Sequence, residues 1–177
     1  MNSINSKFKD ISNFNNVNDY LPLFNGVLIT ELIVLFLFNN KIFRSKSLKE
    51  WYTKFNLSAI IADVFIIIIG FIIVRLIYSS IFSTFSILKF IALLVIVQTI
   101  HDVLFYFLVI NIKRGTNKMI DTFKDYIKEH NTGILIADSL MMISAGLFSS
   151  YMAHFNINVN IGLLIVLIYL IPFFLYH

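Results

Sequence analysis

Glu31, Asp63, Asp102 and Asp138 are four carboxylates set inside otherwise apolar stretches, and His101 places an imidazole beside the third. Carboxylates with one imidazole suit two kinds of chemistry: proton exchange, or ligation of a cation such as Mn, Fe, Zn or Mg. No His-x-x-His or Glu-x-x-His pair lies on these stretches, so a two-metal site would have to be bridged by the acids alone. Gln98 stands one turn before His101 and Asp102 and is spaced to orient either. Asn56 precedes Asp63 by seven residues and Asn131 precedes Asp138 by seven, so each pair shares one helical face. Those faces read as polar access paths to the acids. All five ionisable groups, Glu31, Asp63, His101, Asp102 and Asp138, are therefore candidates for ion binding or transport, with a divalent metal as the candidate cofactor.

The elements that hold these groups are membrane helices by length and composition. Apolar residues make up 58% of the 177-residue chain and charged ones only 14%; with 19 Phe and a mean hydropathy of +0.83, this is more oil than a water-soluble core needs. The oil comes in blocks of about 18 to 24 residues, the length that crosses a hydrocarbon layer at 1.5 Å per residue. Five spanning helices are expected, at 21–38, 56–78, 87–110, 132–154 and 159–176. The expected class is an all-α polytopic membrane protein, a five-helix bundle over 21–177 preceded by a polar segment over 1–20. In that segment Phe8, Ile11, Phe14 and Val17 recur every three residues, which fits a short surface helix. It lacks the apolar run and small-residue site of a cleaved leader. Without cysteine, disulfides and thiolate metal sites are excluded.

Charge sorts the connections. Lys41, Arg44, Lys46, Lys49 and Lys54 crowd the first long connector, and Lys113, Arg114, Lys118, Lys124 and Lys128 the second, while 79–86 and 155–158 carry no charge. The positive-inside rule puts both basic connectors in the cytoplasm, the N-terminus outside and the C-terminus inside. The net charge of +4 then needs no nucleic-acid partner; membrane lipid is the expected one, with a second copy of the chain as a further candidate. Leu48, Trp51, Tyr52 and Phe55 form one apolar stripe, and Met119, Ile120, Phe123 and Ile127 another, so each connector is expected to hold an amphipathic interfacial helix. Trp51, Tyr52, Tyr78 and Tyr176 fit an aromatic belt, and Arg75 a residue snorkelling or salt-bridging at the outer interface.

The two halves also match at an offset of 75 residues: Lys49-Glu50-Trp51-Tyr52 falls on Lys124-Asp125-Tyr126-Ile127, Asn56 on Asn131, and Ile61-Ala62-Asp63 on Ile136-Ala137-Asp138. The expected units are 21–78 and 87–154, a parallel two-helix repeat about an axis normal to the membrane, with the fifth helix outside it. Counted from the basic end, Asp63 and Asp138 lie about 10 Å deep, Glu31 about 12 Å, Asp102 about 13 Å and His101 about 15 Å. A carboxylate in hydrocarbon is costly, so the four acids are expected to face one another. Three functions fit such a layer: a small transporter or channel for protons or metal cations, an intramembrane metal-dependent enzyme acting on a lipid or isoprenoid, and a structural membrane protein whose acids fix helix pairing. Gly70, Ala145 and Ser149 continue the two polar faces and permit close helix approach.

Overall fold

A computed structural model describes residues 7–42, 45–130 and 133–176. They form a 3-10 turn at Val17–Asp19 and seven helices: α1 (Tyr20–Asn39), α2 (Lys46–Phe55), α3 (Leu57–Ile81), α4 (Ile87–Asn111), α5 (Lys118–His130), α6 (Gly133–Met152) and α7 (Ile157–Leu175). There is no strand among the described residues. Helices α1, α3, α4, α6 and α7 are long and apolar enough to cross a membrane, with ends within three residues of those expected.

Local chemistry sets the ends. Pro22 sits in the first turn of α1, where its missing N–H costs nothing. Asn40 closes the other end by donating its side-chain amide to the Phe36 carbonyl at 2.8 Å. Ser45 caps α2 by accepting the Leu48 N–H at 3.0 Å, and Asn156 caps α7 through the Val159 N–H at 3.0 Å. Between α2 and α3 the chain turns on Asn56 alone, at φ 49°, a conformation Asn tolerates better than bulkier residues. That corner converts an amphipathic helix into a spanning one without a loop.

Helix α1 is the most enclosed of the spanning helices. It packs against α3, α6 and α7, and 56% of its most apolar window is buried, against 17% for α4 and α7. Around it α3 meets α4 and α4 meets α6, closing a ring of α1, α3, α4 and α6 with α7 laid on α1 from outside. In a lipid environment apolar burial does not hold helices together; close approach and interhelical hydrogen bonds do. The α1–α6 crossing has both. Gly26 lies directly on the Ser149 backbone, the Ser149 hydroxyl donates to the Leu23 carbonyl at 3.2 Å, and Thr30 bonds Ser144 at 3.1 Å. Asn25 fastens α7 by donating to the Asn160 carbonyl and side-chain oxygens, both at 2.9 Å.

Residues 7–16 do not form the surface helix expected from their spacing; they run as turns and extended chain across one end of the bundle. Lys9 exchanges backbone and side-chain hydrogen bonds with Ser150, and Ile11 is fully buried. The three-residue spacing of Phe8, Ile11, Phe14 and Val17 is outweighed by Asp10, Asn13 and Asn16, whose side chains accept backbone N–H groups two residues on, the signature of Asx turns. Arg75 does not snorkel. It is buried beneath this strap and paired with Asp19.

Candidate functional site

At the opposite end, α2 and α5 pack on each other beneath the ring. Glu129, one residue from the end of α5, joins them by accepting the first two N–H groups of α2, from Lys46 and Ser47, each at 2.7 Å. A carboxylate on a helix N-terminus meets both its free donors and its positive dipole end. His130 adds a contact from its Nε2 to the Ser45 hydroxyl at 2.7 Å. Hydrogen bonds from Ser47, hydroxyl first and then backbone, followed by those of Lys46 and Ser45, hold the Glu129 carboxyl down at about 2, below the usual 4.5. The clamp is thus at full strength above the ordinary glutamate range and is lost as pH falls from about 4.5 toward 2. Glu129→Gln should lower the unfolding midpoint in detergent at neutral pH, and its deficit against wild type should close across that acid window. A deficit that stays constant down to pH ~2 would show that the charge is not what holds the clamp.

The inward face of this helix pair is aromatic. Trp51 packs on Phe123 with ring centroids 4.7 Å apart, and Phe123 on Phe105 of α4 at 5.1 Å. Trp51, Tyr52 and Tyr78 are buried, not arrayed as a belt; Tyr176 is exposed as a belt residue would be. Two of the buried aromatics reach the acids. The Trp51 indole N–H donates to Asp63 at 2.9 Å, and the Tyr52 hydroxyl donates to Glu31 at 3.1 Å.

Glu31 is wholly buried, and its second oxygen has no partner among the described residues. It lies within electrostatic range of Asp63, and Asp63 and Asp102 both lie within range of Asp138. Asp102 accepts the Gln98 amide at 2.7 Å and contacts His101 Nδ1 at 3.1 Å. Of the two residues Gln98 was spaced to orient, it holds the aspartate. His101 is the outermost member, its side chain 36% exposed against 13% for Asp102, with its ring stacked on Phe105 at 5.7 Å. Asp138 has no hydrogen-bond partner among the described residues. No Lys or Arg within 4.0 Å forms an ion pair with any of the four acids among those residues.

Asn56 forms the α2–α3 corner; Asn131, its sequence counterpart, lies outside the described residues. The donors expected for a metal, Glu31, Asp63, His101, Asp102 and Asp138, are not gathered as a ligand set: among the described residues no three His, Asp or Glu could hold a metal ion. Trp51, Tyr52 and Gln98 instead each take up one oxygen of Asp63, Glu31 and Asp102. Two cavities flank the bundle, one of about 290 Å³ between the ends of α1 and α7 at Phe36 and Phe174, the other of about 280 Å³ at the strap beside Asp19 and Asn160. Neither is lined by the acids.

The residues that spacing alone did not single out are Trp51 and Tyr52 as partners of the acids. The available signal was the distance along the chain, since Trp51 precedes Asp63 by twelve residues and Tyr126 precedes Asp138 by twelve. The class of protein defined here is a helical membrane protein with five apolar spans. No protein family matches the chain, and no curated protein or solved structure is similar to it.

Proposed function

We propose that the chain is a small transporter that moves protons across its membrane, alone or with a coupled solute, through Glu31, Asp63, Asp102 and Asp138. The observation that carries this reading is Glu31: a fully buried carboxyl with one oxygen unpartnered, on a different helix from Asp63 and within its electrostatic range. Carboxyls gathered in a low-dielectric interior without a countercharge call for a proton or a cation, and the absence of a ligand set among the described residues favours the proton. The two-fold repeat belongs to the same proposal. Exchange of α1 with α4, α2 with α5 and α3 with α6 maps each helix contact in the ring onto another contact in the ring. Such an axis would relate Asp63 to Asp138 and supply two equivalent half-sites, with the basic connectors toward the cytoplasm.

In liposomes carrying an internal pH dye, wild-type protein should dissipate a proton gradient, and Asp63→Asn or Asp138→Asn should slow this by about a hundredfold, a common scale for losing a proton-transfer group. Elemental analysis of the same preparations should give no stoichiometric metal. Metal bound to wild type and lost in both variants would replace the proton by a cation in this reading. A structural role is the second reading, favoured by Trp51, Tyr52 and Gln98 each bonding one oxygen of three of the four acids. It predicts wild-type flux no faster than protein-free liposomes and a lower unfolding midpoint in the asparagine variants.

A further inference from the structure

Among the described residues Asp63 has an aromatic donor and Asp138 has none, although the two aspartates occupy matching places in the sequence. At the 75-residue offset Trp51 falls on Tyr126, and both aromatic residues precede their aspartates by the same twelve positions. Tyr126 lies on α5, which packs against α2, α4 and α6, and its half-buried ring rests on His130 at 4.9 Å. The phenol is within electrostatic range of Asp138 and, more weakly, of Asp63. Its hydroxyl, like the Asp138 carboxyl, has no hydrogen-bond partner among the described residues. Both residues are half-buried on neighbouring helices, and a phenol and a carboxyl placed there gain by bonding to each other, because few other donors or acceptors stand near.

We propose that Tyr126 is the positioning residue of Asp138: its phenolic O–H donates to the Asp138 carboxyl, as the Trp51 indole donates to Asp63. The site then consists of two equivalent pairs, each an interfacial aromatic donor and a membrane acid, carried by helices that Glu129 clamps together. Both donors on α2 and the one on α5 approach from the same end, so the helix pair sets how each acid presents its remaining oxygen to the cluster.

This inference rests on the equivalence of the two halves proposed above, and its test does not depend on proton movement. In protein labelled with carbon-13 at the tyrosine ζ position, the resonance lost in Tyr126→Trp identifies Tyr126. Asp138→Asn should shift that resonance more than any other tyrosine's. An unmoved Tyr126 resonance, or a larger shift at Tyr52, overturns the pairing. Thermal unfolding supplies a second measure: Tyr126→Phe and Asp138→Asn should be non-additive when combined, and Tyr126→Trp should keep the stability that Tyr126→Phe loses. Additive effects, with Trp no better than Phe, overturn it as well. Should the resonance respond while wild-type liposomes show no flux, the pairing stands and the transport reading falls; flux with an unresponsive resonance gives the reverse.

Discussion

Gly26→Ala should be among the most damaging single-methyl changes in this protein. A Cβ at position 26 would stand 2.3 Å from the Ser149 hydroxyl oxygen, 2.4 Å from its backbone nitrogen and 2.7 Å from its Cα. Two of those three atoms are backbone of a spanning helix, so no rotamer change relieves the clash, and α1 and α6 must separate. Separation stretches the Ser149–Leu23 and Thr30–Ser144 hydrogen bonds, and in lipid nothing apolar is gained in exchange. Overpacking of this kind costs on the order of 3 kcal/mol. For a chain of this size that is a fall of about 6 to 12 °C in the unfolding midpoint. Two other glycines grade the expectation. At Gly70 the new methyl would meet only the flexible end of Met142, at 2.9 Å, and the loss should be small; at Gly162 it would meet nothing within 4 Å, and helix propensity should leave stability equal or higher. A Gly26→Ala variant as stable as Gly162→Ala would mean that α1 and α6 do not cross this closely.

The contrast between Gly26 and the acids shows which parts of the molecule can be read in the chain. Span positions follow from hydrocarbon thickness, which acts on each segment separately, so five apolar blocks give five helices with nearly correct ends. The amphipathic connectors were legible for the same reason, since a stripe such as Leu48, Trp51, Tyr52 and Phe55 is a local pattern. What a stripe faces is not local. Trp51 and Tyr52 would suit an interfacial belt equally well, and only the packing of α2 under the ring turns their polar tips toward Asp63 and Glu31. Helix order in the bundle was likewise hidden. Nothing in the first span announces that Gly26 will touch Ser149, because the two are joined by shape and not by period. The same holds at the other end, where Asx turns within residues 10–18 override an apolar period of three and lay the chain across the bundle as a strap.

The strap is fastened by Arg75, and removing that side chain should cost as much as any change in the protein. Arg75 has no exposed surface; one guanidinium nitrogen donates to the Asn13 and Asn16 carbonyls, the latter at 2.8 Å, and stands 3.5 Å from the Asp19 carboxylate. Its guanidinium also covers the Tyr20 ring at 4.5 Å, a favourable place for a planar cation. Asp19 is equally enclosed, 2% exposed. Arg75→Met keeps the apolar stem and deletes the charge, leaving a buried carboxylate without its ion-pair partner and two buried carbonyls with only their backbone donors, the Asn16 and Asp19 N–H groups. Breaking a buried pair from one side in this way costs about 3 to 5 kcal/mol. Asp19→Asn should cost less, because Arg75 retains the two carbonyls and the ring. The double variant should be no worse than Arg75→Met alone, since removing the carboxylate relieves the charge that the single change strands. Limited trypsin digestion gives a second readout at Lys7 and Lys9, which the strap holds against α6 through Ser150 and His154. Cleavage there should accelerate in Arg75→Met before the bundle unfolds. If Arg75→Met proved no less stable than Asp19→Asn and no easier to cut, the strap would be held by Ile11 and Ser150, and the buried ion pair would be incidental to it.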